Sequence, residues 1–116
     1  MCGDQQNREN AFQPDLKRAR RAALVAHQVV IKLKESGIPI ELDTHLGALS
    51  ADLGDLYGAQ EELVERLERL THSPKEWDSI GDCLVDLKMT INHIAVHAKS
   101  IQRPITKITE FAYQNT

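Results

Sequence analysis

The chain has 116 residues, a net charge of −3 and five aromatic residues (one Trp, two Tyr, two Phe), so it makes one domain with a core of Leu, Ile, Val and Ala. Its charge is uneven: residues 1–40 carry seven Lys/Arg against four Asp/Glu, residues 41–87 three against twelve, and residues 88–116 four against one. That balance excludes an ordinary nucleic-acid binder, which shows a basic surplus, and no apolar run reaches the length of a membrane span.

Residues 1–13 are polar and are expected to form a disordered tail. This tail shows no basic-then-apolar signal pattern, so a cytoplasmic protein is expected. The two cysteines, Cys2 and Cys83, belong to no CxxC pair, which predicts neither a disulfide framework nor a zinc ribbon.

The domain is expected to span residues 14–116. Its first helix should start near Pro14–Asp15, with proline suited to the first turn, and run to Ser36. Its apolar face reads Leu16, Ala19, Ala23, Ala26, Val30 and Leu33, widened by Ala22, Val25 and Val29. Gly37 is the expected stop, followed by an extended Ile38-Pro39-Ile40 connection. Lys17, Arg18, Arg20 and Arg21 place cations at a helix N-terminus, against the macrodipole. Folding the chain back about residue 39 brings them beside Glu61, Glu62 and Glu65, as a solvated ion-pair set.

Two heptad ladders follow. Leu42, Leu46, Leu49, Leu53, Leu56, Gln60, Leu63, Leu67 and Leu70 define a second helix by alternating steps of four and three. Trp77, Ile80, Leu84, Leu87, Ile91, Ile94, Ala98 and Ile101 define a third in the same way. Gly47, Ala51, Gly54 and Gly58 form a small-residue stripe beside the first ladder, which predicts close approach of another helix. Ser73-Pro74-Lys75-Glu76 reads as a capping box that starts the third helix. Pro104 is expected to break or kink it, leaving a short terminal helix over roughly residues 104–114. The predicted fold is all-α: a heptad-patterned antiparallel bundle of three long helices plus a short C-terminal one, of coiled-coil character.

Such a narrow bundle leaves apolar surface over, so a homo-oligomer is expected, a dimer in preference. Ile105, Ile108 and Phe111 are the expected contacts between copies, because they extend beyond the level at which the second helix starts. A non-catalytic interaction or assembly module, with itself or another protein as partner and no cofactor, follows from this patterning. No membrane or nucleic-acid partner is expected.

Two alternatives carry chemistry. His93 and His97, at i and i+4, project from one side of the third helix, the spacing that places two imidazoles on one transition metal. Folding brings His27 near the same level as a third candidate. The other alternative is carboxylate: Glu61, Glu62 and Glu65 precede Asp78, Asp82 and Asp86 across a tight turn, as Mg²⁺-assisted phosphate chemistry needs. The stretch Glu61-Glu62-Leu63-Val64-Glu65, then Ile80-Gly81-Asp82-Cys83-Leu84, resembles the core of all-α nucleotide pyrophosphohydrolases of the MazG type. That resemblance implies Glu61, Glu62, Glu65 and Asp82 as Mg²⁺ ligands. It departs from the family at Ser79, where the family carries glutamate.

Overall fold

The computed structural model describes residues 16–116. The expected tail, the start near Pro14–Asp15 and Cys2 lie outside the described residues. The fold is all-α: α1 (Leu16–Glu35), a 3₁₀ turn (Ile40–Leu42), α2 (Asp43–Thr71), α3 (Trp77–Ser100) and α4 (Gln102–Gln114), with no strand among the described residues. The result is a rod of 57 × 23 × 18 Å, and its radius of gyration is 17.9 Å, against about 13 Å for a compact domain of this size.

α1 ends where expected, and the backbone gives the reason. Gly37 adopts φ +92°. Its N–H donates to the Lys34 carbonyl while the Ile38 N–H donates to the Leu33 carbonyl. This is the paired bonding of a Schellman stop, which needs a left-handed residue and therefore favours glycine. The face α1 buries is rotated from the expected one. Ala22 and Ala26 are buried and Val25, Val29 and Leu33 half-buried, while Leu16, Ala19 and Ala23 are exposed. Ala22, expected only to widen the stripe, joins Ala26 of the expected face at its centre.

α2 runs unbroken through its three glycines. Only Gly54 lies against another helix: a Cβ there would stand 3.8 Å from the Ala22 carbonyl oxygen and 3.9 Å from the Ala26 Cβ. Gly47 and Gly58 have open space instead. α2 is also the hub of the fold. α1, α3 and α4 all pack on it, whereas α1 and α3 barely touch.

Two helix boundaries correct the sequence reading. The capping box does not form: Glu76, extended at φ −127° and ψ 133°, precedes the first turn of α3, and no side chain caps it. The Ser73 hydroxyl donates to the Leu70 carbonyl instead, at 2.9 Å, closing the end of α2. Nor does Pro104 break the helix. Ile101 is right-handed helical (φ −71°, ψ −16°). Its N–H donates to the His97 carbonyl at 2.9 Å, and the Ile105 N–H donates to the Ile101 carbonyl at 3.2 Å. Proline falls in the first turn of α4, where a backbone N–H has little or no intrahelical use. Among the described residues the helices therefore number three, α3 and α4 counting as one that turns at Ile101, rather than three long ones and a separate short one.

The third helix divides its ladder into two ranks. Ile80, Leu87, Ile94, Ile101 and Ile108 are buried or half-buried, while Trp77, Leu84, Ile91 and Ile105 point into solvent. Phe111 is half-buried and α4 packs on α2, so Ile108 and Phe111 serve partly within the chain. Of the three expected intersubunit contacts, Ile105 is the exposed one.

One more departure concerns the cysteines. Cys83 is fully buried, at 0% exposure, and disulfide-bonded, a bond that the absence of a cysteine framework in the sequence did not point to.

Candidate functional site

Four side chains converge between the middle of α2 and the end of α3. Asp52 and Asp55 lie three positions apart on α2, and His93 and His97 four apart on α3, so each pair shares one side of its helix. Asp52 is buried, at 6% exposure. A carboxylate that far from water needs a donor, and His97 supplies it: Nδ1 stands 2.8 Å from Asp52 Oδ1. His97 Nε2 then faces outward, 3.0 Å from His93 Nε2 and 3.5 Å from Asp55 Oδ2. The two imidazoles meet edge to face, with centroids 4.8 Å apart and planes at 72°. Neither aspartate stood out in the sequence.

This cluster borders an open groove of about 1150 Å³ floored by small residues of α1 and α2, among them Ala23, Ala26, Ala51 and Gly54. His93 and Asp55 line it, and so does His27. His27 thus shares the groove with His93 but makes no hydrogen bond to the pair, so the expected three-histidine set is represented by two. Among the described residues, no three of His, Cys, Asp and Glu stand ready as a metal's ligand set.

The carboxylates offered for Mg²⁺ are otherwise engaged. Arg18 pairs with Glu65, Arg21 with Glu61 at 2.6 Å, and Arg66 with Glu62 at 3.1 Å. Arg66 also reaches Asp86 on α3 at 3.9 Å. Asp82 is half-buried on α3. A cation using Glu61, Glu62 and Glu65 must displace a guanidinium from each. These part-exposed pairs contribute about 0.2–1 kcal/mol apiece; their larger effect is to set the register of α1 and α3 on α2.

No family model, curated protein or solved structure matches this chain. Among the described residues, no helix is long and apolar enough to cross a membrane.

Proposed function

We propose that the chain is a heptad-patterned antiparallel bundle that acts as a non-catalytic assembly module, pairing with a second copy of itself in a dimer. The observation that carries this reading is the outward rank of α3. Trp77 is 84% exposed, Leu84 48% and Ile91 49%, with Val85, Met89 and Val96 exposed beside them. In a heptad helix both ranks of the ladder normally meet a partner, and here the chain itself covers one. Fully burying a side chain of this size contributes about 1.5–3 kcal/mol. Several on each copy are needed to offset the association cost of about 4–15 kcal/mol.

The nucleotide reading is not adopted, because its three glutamates already hold arginines. The expected cytoplasmic location is not carried forward, because the disulfide at Cys83 supports an oxidising compartment.

The test is sedimentation or light scattering on the full chain beside the Leu84→Asp/Ile91→Asp double variant. The wild type is expected as a dimer that dissociates on dilution, and the variant as a monomer with unchanged helical circular dichroism. A wild type that stays monomeric at high concentration sinks the proposal, as does a double variant that still dimerises.

A further inference from the structure

We infer that His93 and His97 form a two-histidine chelate for a divalent transition metal of the Ni²⁺/Zn²⁺ class, held in its binding form by the buried carboxylate of Asp52. Two ligand nitrogens about 2.05 Å from one metal, and about 90–110° apart around it, stand roughly 2.9–3.4 Å from each other. The two Nε2 atoms are 3.0 Å apart without a metal, so chelation asks for little movement of either ring.

The proton arrangement is set from behind. Asp52 Oδ1 accepts from His97 Nδ1 at 2.8 Å. With that proton on Nδ1, Nε2 of a neutral His97 carries the lone pair a metal needs. The 3.0 Å contact between the rings then requires His93 to donate its Nε2–H to His97. Metal binding replaces that hydrogen bond, with the His93 proton moving to Nδ1, so neither imidazole changes its net proton count. A carboxylate bonded to the far nitrogen of a metal-binding histidine fixes the ring and raises its basicity. Asp52 is buried, so it cannot trade that role for water.

His93 and Asp55 line the open groove, from which water would complete the coordination of a bound metal. Asp55 Oδ2, 3.5 Å from His97 Nε2 on a side chain 53% exposed, is placed to accept from a metal-bound water. Imidazole suits Zn²⁺ and Ni²⁺ and disfavours Mg²⁺ and Ca²⁺, which take oxygen.

The experiment is calorimetric titration of the full chain, disulfide intact, with Ni²⁺ and with Zn²⁺. One site per chain is expected, weakening on acidification because protons compete for the same lone pairs. His93→Ala and His97→Ala should each lower affinity at least about tenfold. Asp52→Asn, which leaves both ligands in place, should lower it about 10–100-fold. The triple variant His27→Ala/His45→Ala/His72→Ala should bind as the wild type does. Removing His97 strips a buried carboxylate of its donor, so circular dichroism accompanies each variant; exposed His93 carries the test if His97→Ala misfolds. The inference is overturned by a wild type that binds neither metal, by His93→Ala retaining full affinity, or by loss of binding in the triple variant. Unchanged affinity in Asp52→Asn removes the orienting role. Ni²⁺ binding by the monomeric Leu84→Asp/Ile91→Asp variant is expected too, which separates this site from self-association.

Discussion

The Asp52–His97 contact gives the most demanding test of the α2–α3 register. Asp52 is 6% exposed, His97 has 19% of its side chain in solvent, and the two atoms are 2.8 Å apart. A hydrogen bond to a charged group contributes about 1.5–3 kcal/mol, and the part-exposed histidine argues for the lower half of that range. His97→Ala loses the bond and leaves the carboxylate buried without its donor, so a cost of about 2–3 kcal/mol is expected. Asp52→Ala frees His97 Nδ1, which lies nearer water, and should cost about 1–2 kcal/mol. The double variant should cost less than the sum, leaving a coupling of about 1.5–2 kcal/mol. Urea unfolding followed by far-UV circular dichroism measures all four proteins, at one protein concentration and with chelator present to silence any metal. A coupling below about 0.5 kcal/mol would refute the reasoning, since distant, independent sites give no more than that.

Three further outcomes follow from the backbone and the core. Gly37→Ala forces a side chain into a left-handed position at φ +92° and should lower stability by about 1–2 kcal/mol, measured by the same unfolding curves. Gly47→Ala with Gly58→Ala should raise stability by roughly 1–2 kcal/mol together, since glycine costs about 1 kcal/mol in a helix interior and open space surrounds both positions. A loss instead would show that something packs on them. Thr90 is 3% exposed with its hydroxyl unpartnered, so Thr90→Val, which removes a desolvated polar group at nearly constant shape, should be neutral or raise the melting temperature.

The helices were legible from local chemistry, and the site was not, because it depends on register. The Gly37 stop is written in one residue. The ladders name α2 and α3 because burial against a neighbour requires that spacing. A turn centred near residue 72 would put His93 level with Ala51 of α2. The connection actually occupies 72–76, with Ser73 closing α2 instead of capping α3, and α3 sits roughly one helical turn further along α2. That shift brings Asp52 and Asp55 to the histidines. At the other end, Arg18 reaches Glu65 and Arg21 reaches Glu61. Both partners are among the carboxylates expected for this cation cluster. Pro104 misled for a different reason: a proline ends a helix only where its missing N–H was needed.

The placement of α2 at the centre has a kinetic meaning. α1 rests on it through a seam whose buried members are Ala22 and Ala26, and α1 has almost no hold on α3. Each alanine contributes little transfer energy, so the buried part of this seam holds α1 only weakly. It can open while α2 and α3, which pack on each other directly, stay docked. Amide hydrogens along α1 should then exchange in partial openings that leave α2 protected. Each opening would lay bare the Gly54 seam and the groove floor beneath it.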